Sequence, residues 1–290
     1  MEYRIMNEKE FELSKELWLE CFPEDDKAFV DWYYTDRTRP EYALGAFCEG
    51  EESPVAMLHM LPMKMRFNGR PTSVCFVAGV CTKPAERGKG LCSALFEKAF
   101  DIMTEKGFAA TVLQPFDTGF YERFGYKTFI LRNRVRISAE RLNEAVRAYE
   151  DADPRPELIA PDPKRLLKLY KASMHSFNGY SIRSESYFNG FIREYSLPYA
   201  ELKMNEFGCC AGYPCGEDGS VFCATELFFT GERDYLSLLP EGYSEYIFPL
   251  PAFCAPPEGS EVRIEEFSMI KPLKASFRFG CAPLYGFDRY

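Results

Sequence analysis

The run Val74-Cys75-Phe76-Val77-Ala78-Gly79-Val80-Cys81-Thr82 leads into Lys83-Pro84-Ala85-Glu86-Arg87-Gly88-Lys89-Gly90, and Leu91-Cys92 follows. The first segment is nearly all small or apolar, the pattern of a strand buried on both faces. The second is polar and glycine-bearing, which marks a loop. From Leu91, apolar residues recur at helical spacing through Leu95, Ala99 and Ile102, and Gly107 supplies a C-terminal stop, so a helix is expected from Leu91 to Lys106. A strand, a glycine loop and a helix in this order can hold a phosphate. The helix start offers unpaired N–H groups and the positive end of the macrodipole, and glycines let an anion approach the backbone closely. Arg87 and Lys89 add positive charge.

Two other phosphate loops do not fit. A P-loop needs Gly-x-x-x-x-Gly-Lys followed by Ser or Thr; here Gly88-Lys89 is followed by Gly90, and Lys83 holds the earlier glycine position. The dinucleotide spacing Gly-x-Gly-x-x-Gly begins at Gly88 and Gly90 but ends on Ser93.

Upstream, Tyr3 to Ile5 reads as a strand, and Glu8 to Phe22 as a helix stopped by Pro23. Asp26 to Tyr34 reads as a second helix, and Tyr42 to Cys48 and Val55 to Phe67 as strands. Asn68-Gly69 is a two-residue hairpin signal, because both positions tolerate positive φ. Downstream come a strand from Phe108 to Leu113, a short helix over Phe120 to Phe124 closed by Gly125, and a strand from Tyr126 to Ile137. Asp151 to Pro163, with four prolines and several acids, reads as a linker. Helices are then expected near Leu166–Ser176 and Ser184–Tyr195. Strands follow near Tyr199–Met204, Gly208–Tyr213 and Val221–Phe229, a short helix near Glu232–Leu239, and strands near Tyr246–Leu250 and Val262–Ile270. This order echoes the first half without its glycine loop.

The bulk numbers set limits. With 290 residues, 46% hydrophobic and 16% aromatic, the chain can build a sizeable core in one large or two ordinary domains. Its net charge of −9 argues against general nucleic-acid binding. No stretch has the length and apolarity of a membrane span, and the start lacks a signal peptide's apolar centre, so the cytoplasm is the expected location. Eleven cysteines without a Cys-x-x-Cys pair, and only His59 and His175, argue against a metal site. Cys75, Cys81 and Cys223 read as buried reduced thiols. His59 reads as a satisfied core residue, Glu122 and Arg123 as surface charges, and the aromatics from Phe177 to Phe191 as core.

Arg87-x-x-Gly90 resembles the Gln/Arg-x-x-Gly-x-Gly/Ala acetyl-coenzyme A loop of the GNAT N-acetyltransferases, with Cys92 replacing the final small residue. The strand ahead of the loop, and Phe120-Tyr121-Glu122-Arg123-Phe124-Gly125-Tyr126 after the next strand, follow that family's order. Together with Val80-Cys81-Thr82-Lys83-Pro84, they resemble the Eis-type branch, whose members carry tandem GNAT-like domains and usually a third, sterol-carrier-like domain for which this chain is too short.

The resemblance implies an α/β (α+β) fold of tandem GNAT-like domains, each a mixed, mostly antiparallel sheet flanked by helices. The expected division is a catalytic domain at 1–140, a linker at 141–163 and a degenerate copy at 164–290 that shapes the acceptor cleft or a homo-oligomer contact. It implies direct transfer of acetyl from acetyl-coenzyme A, without a metal, to a primary amine of a small molecule or lysine; the alternative is a non-catalytic acyl-coenzyme A sensor or scaffold. It assigns the pantetheine arm and thioester to amides of Val80, Cys81 and Thr82, and the pyrophosphate to Arg87, Gly88, Lys89, Gly90, Leu91 and Cys92. Tyr121 matches the general acid, and the carboxylate of Tyr290 would be the base that Eis-type enzymes take from a chain terminus.

Overall fold

The computed structural model describes residues 1–150, 156–231 and 234–278. They form two compact units: residues 1–129 with 268–278, and residues 130–267.

In the first unit, strand β1 (Glu2–Ile5) is followed by helices α1 (Glu8–Cys21) and α2 (Lys27–Asp36), then strands β2 (Ala43–Phe47), β3 (Ala56–Phe67) and β4 (Arg70–Thr82). Helix α3 (Leu91–Glu105), strand β5 (Ala110–Leu113) and the short helix α4 (Thr118–Glu122) complete the run. The helices begin where side chains can cap them. Asn7 and Glu10 form a reciprocal capping box on α1, Asp26 accepts from the Phe29 amide on α2, and Asp117 accepts from that of Phe120 on α4. The β3–β4 hairpin turns on Asn68 (φ 51°) and Gly69 (φ 74°), as the Asn-Gly signal requires.

The sheet is antiparallel from β1 to β4, whereas β5 runs parallel to β4. Side chains alternate across it. Leu58, Met60, Cys75 and Val77 pack with Leu95, Phe96, Ala99 and Met103 of α3. His59, between the first two, faces the rings of Trp18 and Tyr33 from α1 and α2. Burial of a ring such as Phe96 contributes roughly 1.5–3 kcal/mol. The last strand of the unit comes from far along the chain: Met269–Pro272 pair antiparallel with Ala110–Leu113.

The second unit takes most of strand β6 (Lys127–Ser138), then α5 (Ala139–Glu150), α6 (Pro163–Ser173), β7 (Tyr180–Ser181), α7 (Glu185–Glu194), β8 (Glu201–Met204), β9 (Gly208–Cys215), β10 (Val221–Phe229), β11 (Glu245–Leu250) and most of β12 (Glu261–Pro272). Helix α5 lies where a linker was expected over 141–150; its amphipathic Leu142 face packs into the core with Phe222, Tyr235 and Phe248. Strands β6, β11, β10, β9 and β8 are neighbours in that order, and β10–β11 is the parallel pair. Phe188 and Phe191 of α7 are buried against Tyr170 and Phe228, as a core reading of that aromatic stretch requires. Cys215 and Cys223 form a disulfide across the β9–β10 hairpin, so Cys223 is not the reduced thiol its sequence setting suggested.

Candidate functional site

Strands β4 and β5 are in register only from Val74–Ala110 to Val77–Leu113. Beyond Val77, β4 runs on to Thr82 without that partner. Its other edge carries a bulge there. Ala78 faces His59 and Cys81 faces Met57, so Gly79 and Val80 stand opposite Leu58 alone. Gly79 takes φ +58° to make this bend.

Beside this unpaired end of β4 lies a cavity of about 710 Å³. Its floor is Val80, Cys81 and Thr82, and one wall is Glu86, Arg87, Gly88, Gly90, Leu91, Cys92 and Ser93 at the start of α3. Cys21 and Phe22 from the end of α1, and Phe116, Phe120 and Arg123 around α4, close the rest.

The loop geometry favours an anion. Gly88 (φ +78°) and Gly90 (φ +80°) are left-handed, and Gly90 is the N-cap of α3. A β-carbon on either would meet nothing within 4 Å, so the backbone faces open space. The helix's first internal acceptor is used by the Ala94 amide, which donates to the Gly90 carbonyl; the amides before it have no helical acceptor. A diphosphate group therefore fits the residues present: room above two glycines, unpaired donors, and a guanidinium beside them. Arg87 Nε donates to the Thr82 carbonyl at 3.1 Å, which fixes that guanidinium at the cavity wall.

All but one of the residues assigned to coenzyme A from the sequence line this cavity. The exception is Lys89, whose side chain is turned to Glu86 (Nζ–Oε2 2.8 Å). Tyr121 is 4% exposed and outside the lining; its ring packs on Phe116 and Phe120, which line it, at centroid distances of 5.5 and 5.0 Å. Burial, then the neighbouring Cys92, raises the Tyr121 hydroxyl above its ordinary value. Tyr290 lies outside the described residues.

Sequence reading missed Cys21, Phe22 and Phe116; Arg123 is exposed, as expected of a surface charge, and also borders the cavity. The Arg123 guanidinium sits 4.0 Å from the Phe120 ring centroid, at the cavity wall. Phe116 is 75% exposed, more than any other large apolar side chain described, and an apolar ring left in water beside a cavity is itself a signal of a ligand. His59 is fully buried as expected but only half satisfied: Nδ1 pairs with the Tyr33 hydroxyl at 3.1 Å, and Nε2 has no partner among the described residues. Burial lowers it to about 3, so the ring is neutral. Among the described residues there is no cluster of metal-ligating side chains and no helix long and apolar enough to cross a membrane.

Residues 2–129 match the family model described as an acetyltransferase (GNAT) domain. No curated protein matches the chain. Among solved structures, a GCN5-related N-acetyltransferase from Anabaena variabilis superposes with a TM-score of 0.72 at 14% identity, covering 94% of this chain and 73% of that one. A probable N-acyltransferase from Enterococcus faecalis gives 0.69 at 14%, covering 94% and 72%. Eis1 from Mycobacterium abscessus gives 0.66 at 14%, covering 94% and 74%. At that identity the likeness is one of fold.

Proposed function

We propose that this protein transfers an acetyl group directly from acetyl-coenzyme A to a primary amine, on a small molecule or a lysine; the match of residues 2–129 to an acetyltransferase (GNAT) domain and the fold likeness to Eis1 support this reading. The observation that carries this is that β4 runs on past the end of β5 and shares one cavity with the amide-rich start of α3. One open channel then offers strand amides at Val80–Thr82 for an amide-bearing arm and helix-start amides at Gly88–Cys92 for a diphosphate. A thioester at the strand end would present its carbonyl to preorganised N–H donors, where negative charge develops as the amine attacks.

Tyr121 is our candidate for the acid that protonates the departing thiolate. Its raised affinity for its proton keeps it protonated, and its ring lies against the two lining rings Phe116 and Phe120. Of the described residues, Glu86 is the one carboxylate on the lining, and it is engaged by Lys89, so it is not offered as a base. The net charge of −9 favours a cationic acceptor by long-range attraction, and the cytoplasm is the setting proposed.

The second unit reads as a degenerate copy. Helices α6 and α7 precede β8, β9 and β10, then a 3-10 turn (Asp234–Leu238) leads to β11 parallel to β10, just as α3 leads from β4 to β5. The turn replaces the long helix and its glycine loop, which removes the anion site and leaves an acceptor-shaping or oligomer-contact role.

The rival reading, a sensor or scaffold that holds acyl-coenzyme A without turnover, draws on the burial of Tyr121 outside the lining. Calorimetric titration with acetyl-coenzyme A, and chromatographic detection of free coenzyme A with a panel of amines, separate them. Binding with amine-dependent release supports the enzyme. Binding without release for any amine supports the sensor, and absence of binding overturns both.

A further inference from the structure

We propose that Phe116 and Arg123 form a subsite for the adenosine 3′-phosphate end of the donor, with Phe116 stacking on the base and Arg123 pairing with the phosphate monoester. The inference rests on the proposed function, which gives the diphosphate to Gly88–Cys92 and the amide-bearing arm to Val80–Thr82. Neither assignment uses the α4 side of the cavity, where Phe116, Phe120 and Arg123 line the wall.

Phe120 supports both groups. The Phe116 ring rests on it at 5.1 Å between centroids and on Tyr121 at 5.5 Å, while most of Phe116 stands in water. The Arg123 guanidinium lies 4.0 Å from the Phe120 centroid and 4.8 Å from that of Phe124. Arg123 is exposed and makes no hydrogen bond or ion pair among the described residues, so the rings hold the cation while its N–H donors stay unspent. One short segment therefore presents a flat apolar surface and a braced guanidinium side by side. A base stacks on the first, and a phosphate pairs with the second.

Charge supports the same assignment. Coenzyme A carries a diphosphate and, on its ribose, a phosphate monoester of about −1.5 to −2 at pH 7. The protein is itself at −9, and Glu86 adds a carboxylate to the lining, so each phosphate group needs a local cation. Among the described residues the cations of the lining are Arg87 and Arg123; Lys89 lies off it, paired with Glu86. Arg87 is tied to β4 through the Thr82 carbonyl, beside the two glycines. Arg123 is left for the monoester. The uncharged arm offers a guanidinium no anion, which argues against Arg123 serving that part of the donor. Such a subsite also lets the site tell a free nucleotide thioester from the same arm carried on a protein, which has no adenosine.

The test is calorimetric titration of the full chain with coenzyme A and with 3′-dephospho-coenzyme A. Wild type should bind coenzyme A about ten-fold or more tightly than the dephospho form, since the charge-assisted pair goes with the phosphate. Arg123→Gln should remove that preference, weakening coenzyme A about ten-fold and the dephospho form less than about two-fold. Phe116→Ala should weaken both nucleotides about five-fold or more, and Phe116→Trp should restore the loss by stacking in its place. Adenosine 3′,5′-bisphosphate, which has no arm, should displace coenzyme A from wild type and do so less well from Arg123→Gln and Phe116→Ala. Both side chains are exposed, so thermal melts of the variants should match that of wild type. Equal binding of the two nucleotides by wild type, or equal weakening of both in Arg123→Gln, overturns the phosphate assignment. A Phe116→Ala protein that binds as wild type does, or a bisphosphate that does not compete, overturns the base assignment. Any of these leaves the proposed function standing if coenzyme A still binds, whereas wild type that binds neither nucleotide removes the proposed function and the subsite together.

Discussion

Gly79 holds its α-carbon so close to the indole of Trp18 that a β-carbon there would lie 2.5 Å from Cζ3. The same residue takes φ +58° in the bulge that β4 makes against β3. A side chain is therefore opposed twice, by conformation and by contact. Gly79→Ala should cost about 3 kcal/mol, combining a left-handed alanine with overpacking of a ring core. Because the bulge shapes the cavity floor, coenzyme A affinity should fall at least ten-fold. Thermal melts and calorimetric titration check both; a variant as stable as wild type removes the structural role given to the bulge.

Gly90 is the contrasting case. Its φ is +80°, yet a β-carbon would meet nothing within 4 Å. Gly90→Ala should cost only about 1 kcal/mol of stability, the conformational part alone. The added methyl would nonetheless stand in the space assigned to the diphosphate, so a ten-fold or greater loss of coenzyme A affinity is expected with a nearly unchanged melt. Equal affinity in the two proteins would place the anion elsewhere.

His59 gives the fold a pH dependence. Burial depresses it from an ordinary 6.5 to about 3 in the native state. A depressed group contributes stability that is fully present above its unfolded value and is lost as pH falls toward its folded one. Between pH 7.5 and pH 5 the unfolded chain gains this proton and the native chain does not, which costs about 2 kcal/mol at pH 5. Urea unfolding of wild type and His59→Gln at both pH values should show a loss larger by about that amount in wild type. Identical losses would mean that His59 is protonated inside the fold.

How far the sequence carried this reading depended on range. The α3 helix was legible because Leu91, Leu95 and Ala99 repeat along one face and Gly107 stops it, all within a few turns. The Asn68-Gly69 turn was legible for the same local reason. Nothing local announces that Met269–Pro272 pairs with Ala110–Leu113, since that contact spans more than half the chain. Cys21 was missed because its meaning depends on where the end of α1 lands on β4; Arg123 is exposed as expected, but its place on the cavity wall was not legible, because a guanidinium laid on an aromatic ring is indistinguishable in sequence from one in water. The positive charge of Lys89 reads in sequence as support for the phosphate, whereas its side chain pairs with Glu86 three residues earlier.

Tyr121 separates turnover from packing. Its ring is buried among Phe96, Phe116, Phe120 and Tyr126, and its hydroxyl has no hydrogen-bond partner among the described residues. Tyr121→Phe should therefore change stability by less than about 1 kcal/mol. As an acid for the departing thiolate, the same hydroxyl should be worth ten-fold or more in kcat with KM little changed. Its proton is held above the ordinary tyrosine range, so its ionisation should not lower the wild-type rate below pH 10. A full rate in the phenylalanine variant would confine Tyr121 to the core and pass the acid's role to another group.

In the second unit, Arg183 and Glu226 are buried to 1% and 2% side-chain exposure and joined by three bonds of 2.9–3.1 Å. The guanidinium also lies 4.4 and 4.6 Å from the ring centroids of Tyr170 and Tyr187. Removing one charge strands the other out of water, so Glu226→Gln should cost about 3–5 kcal/mol. Replacing both partners with methionine leaves no stranded charge and should recover most of that loss. Denaturant unfolding of the two variants makes the comparison. A double variant no better than Glu226→Gln would show that the pair specifies the packing of this core rather than merely tolerating its own burial.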